Sequence, residues 1–219
     1  MTADLFITSS NIHSSSFYRT VENMFLQAWQ DTRKNRPHVH AVWYINAGSQ
    51  LLGRPRFSDY LNYKAQIQRQ LGRNKVEEEL YRGVRRACNI GDDGHHLNLC
   101  NLAECDLCRI LECRYRLRNS NGTANFGTGI YTSAHSSKAD DYAINAHNQS
   151  RFHVVLLSHV VTGNTYSYQS PHPQITGPPN GYQSVGAIPK RQGGTLIHPE
   201  TIVYRTDAAI PSVMVVYTR

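Results

Sequence analysis

From Tyr18 onward, Val21, Phe25, Ala28 and Trp29 recur at helical spacing, and the pattern stops in the basic run Arg33-Lys34-Asn35-Arg36-Pro37. A helix with one apolar stripe, used for core packing, is expected there. Val39, Ala41, Trp43 and Ile45 then alternate with polar neighbours, which predicts a strand from about His38 to Asn46. Phe57 to Leu71 reads as an amphipathic helix with Phe57, Tyr60, Leu61, Ala65 and Gln68 on one side. Leu80 to Val84 reads as a short strand. Later the chain turns to strands: His153 to Val161 is apolar enough for a central one, and Thr201 to Tyr204 and Val213 to Tyr217 are two more. Gly177-Pro178-Pro179-Asn180-Gly181 and Gly193-Gly194 mark loops between them. Residues 1–17 are polar and Ser-rich, a leader or an edge segment. Helices early and strands late give an α+β arrangement, expected to be one unit over residues 18–219.

Composition adds a partner. Among 219 residues, 23 Lys plus Arg face 16 Asp plus Glu, and the net charge of +7 favours an anionic partner such as nucleic acid or a nucleotide. No apolar run approaches the roughly 20 residues of a membrane span. Met1 to Ser16 lacks a basic stretch followed by an apolar one, so no secretory signal is expected and a cytoplasmic address is.

The five cysteines, Cys88, Cys100, Cys105, Cys108 and Cys113, all lie between residues 88 and 113. An odd number in a reducing compartment argues against a disulfide framework. Cys105 and Cys108 have the two-residue spacing that brings two thiolates to one tetrahedral ion, and Cys88 and Cys100 complete a four-sulfur set for structural zinc. His95 and His96 are alternatives for one sulfur, and buried thiols packed as small apolar groups are the alternative to metal.

Four blocks carry a family resemblance. Phe126-Gly127-Thr128-Gly129-Ile130-Tyr131-Thr132-Ser133, continued by Ser136-Ser137-Lys138-Ala139-Asp140-Asp141-Tyr142, resembles the poly(ADP-ribose) polymerase type of ADP-ribosyltransferase. Pro178 to Val185, Glu200 to Arg205 with Ile210 to Tyr217, and Val42 to Asn46 are similar to further segments of that domain, in order over roughly residues 38–219. The cysteine stretch also resembles fungal members of the superfamily. The resemblance implies a split mixed β-sheet core preceded by helices, with the Cys-rich segment as an insertion. It implies cleavage of the nicotinamide–ribose bond of NAD through an oxocarbenium-like state, which a nearby carboxylate stabilises. Glu200 matches that catalytic carboxylate, and Tyr131 and Tyr142 match the tyrosines that sandwich nicotinamide. Gly83 and Lys138 join the NAD-binding set, Lys138 toward a phosphate or the acceptor.

The match departs at three NAD-clamping positions. The family's histidine is Arg82, its hydroxyl residue is Val84, and a serine that holds the nicotinamide amide is Ala139. Each lost partner in a closed site costs on the order of 1–3 kcal/mol. Tyr81-Arg82-Gly83 resembles instead the opening of the toxin-type ADP-ribosyltransferases, whose arginine takes a phosphate; Arg82 is therefore grouped with Tyr131 and Glu200 as catalytic.

Basic residues supply the alternative. Arg114, Arg116 and Arg118 alternate with Tyr115 and Leu117, and Arg85 and Arg86 follow Arg82. These five arginines are candidate nucleic-acid contacts, with tRNA as the partner. The same fold would then act on tRNA without NAD, in the manner of the tRNA 2′-phosphotransferases or of arginine-containing cyclodipeptide synthases. Glu200 would serve as base and Tyr131 as proton relay. A third reading is a zinc-stabilised binding module without catalysis.

Overall fold

The structure, a computed structural model, describes residues 7–9, 15–45, 55–113, 115–117 and 124–219. In chain order these form β1 (Ile7–Ser9), α1 (Ser16–Gln27), β2 (His38–Ile45), α2 (Pro55–Leu71), β3 (Glu77–Gly83), β4 (Arg85–Arg86), α3 (Asp106–Glu112), β5 (Ile130–Thr132) and α4 (Ser136–Asp140). Then follow β6 (Ile144–Asn145), β7 (His153–Val161), β8 (Thr165–Tyr168), β9 (Ser184–Ala187), β10 (Glu200–Val203) and β11 (Ala209–Thr218). None of the described helices is long and apolar enough to cross a membrane.

Helix α1 starts two residues before Tyr18 because Ser15 caps it, its Oγ accepting from the Tyr18 backbone N–H at 3.1 Å. Its expected stripe is the buried one, with Tyr18, Val21 and Phe25. Helix α2 is rotated from its expected face. Tyr60, Tyr63 and Ile67 are buried, whereas Leu61 is 44% exposed and Ala65 also faces solvent. Strand β3 begins at Glu77, ahead of the expected Leu80. Its three glutamates stay outward or half-buried at the sheet edge, and Glu77 is neutralised by Lys64 at 2.6 Å.

The strands form a five-stranded sheet in the order β1-β2-β11-β7-β3, antiparallel throughout, and a mixed four-stranded sheet in the order β5-β10-β9-β8. Segment 7–9, within the expected leader, is an edge strand on β2. Strands β7 and β11 sit inside the first sheet, with apolar side chains on both faces, which is why β7 reads as a continuous hydrophobic run. One face packs on α1 through Val39, Val155, Val215 and Tyr217. The other packs on α2 and α3 through Trp43, Leu156, Met214 and Leu111.

The two sheets are stitched where β3 passes β5. The Tyr81 N–H donates to the Ser133 carbonyl at 2.8 Å and the Ser133 N–H to the Tyr81 carbonyl at 2.9 Å. Just beyond, α4 crosses the end of β3. A Cβ at Gly83 would lie 1.9 Å from the Ala139 carbonyl oxygen, so only glycine lets the helix approach. That crossing places the side chains of α4 over the seam between the sheets.

Candidate active site

The seam opens into a cavity of about 180 Å³ between β3, β5, α4 and the start of β10. Glu200, the first residue of β10, enters it 4% exposed. Its Oε1 lies 3.3 Å from Lys138 Nζ on α4. Its Oε2 is buried with no hydrogen-bond partner among the described residues. Burial alone would lower the Lys138 pKa, but Glu200, Tyr142 and Asp141 more than offset it and hold the ammonium above its ordinary value. The lysine is thus charged at neutral pH and holds one carboxylate oxygen of Glu200, leaving the other without a partner among the described residues.

Two tyrosines supply aromatic walls. Tyr131 on β5 donates its phenolic hydrogen to the Gly127 carbonyl at 2.7 Å and accepts from the Phe126 N–H at 3.0 Å. The hydroxyl is occupied by backbone, so Tyr131 offers the cavity its ring and is poorly placed as the proton relay of the tRNA alternative. The loop that receives it needs glycine: Gly127 has φ +65°, and a Cβ there would lie 1.9 Å from the Ile175 carbonyl oxygen. Tyr142, just past α4, is 43% exposed with Lys138 Nζ 4.9 Å from its ring centre. Tyr81 was not among the expected site residues, yet it lines the cavity; its ring packs against Phe25 and its hydroxyl is buried without a hydrogen-bond partner among the described residues. Adjacency to Arg82 on strand β3 was no signal, because neighbouring side chains on a strand point to opposite faces.

Arg82 stands at the cavity wall, where Nη1 donates to the Tyr131 carbonyl at 2.8 Å and the guanidinium lies 5.3 Å from the Tyr115 ring centre. Arg82, Gly83 and Tyr142 are shared with an open groove that continues past Arg85, Arg109 and Arg116. Arg109 is tied to Asp106 at 3.0 Å. Arg85 and Arg116 are exposed.

The other expected nucleic-acid contacts do not gather there. Arg86 is 1% exposed and is a structural residue. It pairs with Asp92 at 2.5 Å and donates to the carbonyls of Ile90 at 2.9 Å and Phe152 at 2.7 Å, because a buried guanidinium is tolerated only when its donors are satisfied. Arg114 and Arg118 lie outside the described residues. Between them no strand forms, and Tyr115 is fully buried on Ser158 Oγ at 2.6 Å while Arg116 and Leu117 face outward.

The cysteines converge. The sulfurs of Cys88, Cys100, Cys105 and Cys108 all lie within 4.8 Å of one another, a group that can hold a metal ion. Cys88 Sγ is 3.8 Å from that of Cys105 and 3.5 Å from that of Cys108. A tetrahedral site with metal–sulfur bonds of about 2.3 Å sets sulfurs roughly 3.8 Å apart. Backbone N–H groups of Ala87 and Cys100 donate to Cys105 Sγ and Cys108 Sγ, each at 3.4 Å, as an outer shell does for thiolates. Cys113 is exposed and outside the group, and His96 is turned to Asp93 at 2.9 Å.

A sequence profile described as the Poly(ADP-ribose) polymerase catalytic domain matches residues 96–216. The span is 121 residues (216 − 96 + 1) of 219, more than half of the chain. The chain belongs to this family. It is therefore a member of the ADP-ribosyltransferase superfamily, and the family's domains use NAD as substrate. The matched span holds Tyr131, Lys138, Tyr142 and Glu200 together with Cys100, Cys105 and Cys108, whereas Arg82, Gly83 and Cys88 precede it. No curated protein matches the chain.

Proposed function

We propose that the chain transfers ADP-ribose from NAD to an acceptor nucleophile, with Glu200 as the charge-stabilising carboxylate. The observation that carries this is the buried Oε2 of Glu200, without a hydrogen-bond partner among the described residues, in a cavity that Tyr131 and Tyr142 also line. A buried acceptor without a donor costs free energy in the empty protein, and a ribose hydroxyl of the substrate relieves that cost. The nicotinamide ring enters between Tyr131 and Tyr142, whose electron-rich faces attract a pyridinium cation. As the C1′–nitrogen bond breaks, the electron pair goes to the ring nitrogen and positive charge grows on the sugar. The Glu200 carboxylate, fixed by Lys138 and shielded from water, opposes that charge.

Arg82, Arg85 and Arg116 then meet the pyrophosphate and adenosine half in the groove that continues from the cavity. This takes the place of the hydroxyl and amide contacts missing at Val84 and Ala139, and gives the positive surplus a nucleotide partner rather than a tRNA. We assign the four cysteines to structural zinc. The ion would tie the loop around Cys88 to α3, immediately after β4 and the Arg86 anchor. The test is release of nicotinamide from NAD by the purified protein. Release supports the reading, and NAD left intact refutes it.

A further inference from the structure

The groove that continues from the Glu200 cavity draws its lining from two stretches of chain that the cysteines join. Arg82 to Arg85 supply it from β3 and the start of β4, and Asp106, Arg109 and Ile110 supply it from α3. Cys88 lies three residues past Arg85, while Cys105 and Cys108 flank Asp106 and lead directly into Arg109. The four-sulfur group therefore closes on both stretches at once. A direct contact follows the same line, the Ala87 N–H donating to Cys105 Sγ at 3.4 Å.

Helix α3 depends on such a tie. Its seven residues are too few for a helix to stand alone, and its N-cap, Cys105, makes no side-chain capping bond. Burial of Leu107 and Leu111 holds the helix down, but that force is non-directional. Bonds from one ion to Cys88, Cys105 and Cys108 would set its distance and rotation against β4. The charged groups that α3 gives the groove are held by the same segment. Arg109 donates to the Ala103 carbonyl at 2.8 Å, between Cys100 and Cys105, and pairs with Asp106 at 3.0 Å. Past the helix, Tyr115 is buried on Ser158 Oγ at 2.6 Å, and the Arg82 guanidinium lies 5.3 Å from its ring centre.

We propose that the four cysteines position the nucleotide groove: with an ion on their sulfurs the chain binds the ADP-ribose portion of the dinucleotide, and without it that portion binds weakly. The inference rests on the NAD reading above and on the zinc assigned there. Cys88, Cys100, Cys105 and Cys108 touch no substrate and act as positioning residues. The ion sets the spacing of Arg82 and Arg85 from Arg109 and Asp106. Guanidinium–phosphate hydrogen bonds demand geometry, so a groove with α3 released loses them. The Glu200 cavity lies between β3, β5, α4 and the start of β10, none of which carries a sulfur ligand. Nicotinamide binding there is independent of the ion.

The test measures binding of ADP-ribose and of nicotinamide, as separate probes, to the full chain loaded with zinc and then stripped with EDTA, with circular dichroism to follow the fold. Stripping is expected to weaken ADP-ribose by at least roughly tenfold, to leave nicotinamide within about threefold, and to be reversed by added zinc. A smaller loss for ADP-ribose, or an equal loss for both probes in folded protein, overturns the proposal. Should the stripped protein unfold, the loss of zinc to EDTA from loaded protein decides. Coupling is reciprocal, so ADP-ribose is expected to tighten zinc by at least roughly tenfold, and nicotinamide at the same multiple of its own Kd by far less. Equal protection by the two ligands is what an ion serving the fold alone would give, and it overturns the proposal. Loaded protein that binds no ADP-ribose and leaves NAD intact refutes the NAD reading and this inference with it. A chain that takes up no zinc refutes the metal assignment and this inference. Loaded and stripped proteins that bind ADP-ribose equally refute this inference alone.

Discussion

Lys138 Nζ lies 3.3 Å from Oε1 of Glu200, and both groups are largely withdrawn from water, the lysine side chain 19% and the glutamate 4% exposed. The lysine occupies one carboxylate oxygen, and the other has no hydrogen-bond partner among the described residues. Removing the lysine alone strands a buried charge, so Lys138→Met is expected to destabilise the fold by about 3 kcal/mol. Urea melts of Lys138→Met, Glu200→Gln and the double variant would show it. The double variant is expected to recover at least about 1 kcal/mol relative to the sum of the singles. Strict additivity would mean the pair is not coupled.

The two tyrosines should separate by phenotype. Tyr142 is 43% exposed and, among the described residues, holds no backbone contact through its hydroxyl, so Tyr142→Ala is expected to raise KM for NAD by roughly tenfold with little change in melting temperature. Tyr131→Phe keeps the ring but frees the Gly127 carbonyl and the Phe126 N–H. It is expected to cost about 1 kcal/mol of stability while KM stays near wild type. Steady-state kinetics beside thermal melts checks both.

Metal analysis of protein purified without added zinc should find about one equivalent, and less than about half an equivalent would count against the site. Chelation, or Cys105→Ser, is expected to lower the melting temperature by disordering the segment that carries Arg86 and Tyr115. The four-sulfur group predicts that Cys113→Ser changes neither metal content nor stability, because Cys113 is exposed and outside it.

Asp140, between Lys138 and Tyr142, is a buried hub that accepts from Lys34 Nζ at 2.8 Å, Tyr217 hydroxyl at 2.5 Å and Arg219 Nε at 2.8 Å. Burial alone would raise its pKa, but these three donors win and hold it below the ordinary value. Its stabilising contribution is therefore full above the ordinary carboxylate pKa of about 4, and is lost as pH falls through the lower folded value. Asp140→Asn is expected to lose about 3 kcal/mol at neutral pH and to show a flatter acid limb of stability than wild type. Urea melts across that pH range measure it. An unchanged acid limb would remove Asp140 as the titrating group.

Long elements were legible in the sequence where their surroundings are uniform. Strand β7 was expected at His153–Val161 and is found there, because a strand buried on both faces leaves an unbroken apolar run. The site was legible in its residue types and less so in its supports. Strand β5 and helix α4 have three and five residues, too few for any periodicity to register. Arg86 was expected outside because charge normally is, and only its partners at Ile90, Asp92 and Phe152 explain its burial. The His135–His198–Asp31 chain joins positions far apart in sequence that no local pattern brings together.

The most direct measurement is nicotinamide release from NAD by wild type and Glu200→Gln under identical conditions. The structure predicts that wild type releases nicotinamide and that Glu200→Gln lowers kcat by roughly 10²–10³-fold with KM changed only a few-fold. A wild type that leaves millimolar NAD intact, or a Glu200→Gln variant as fast as wild type, would contradict it.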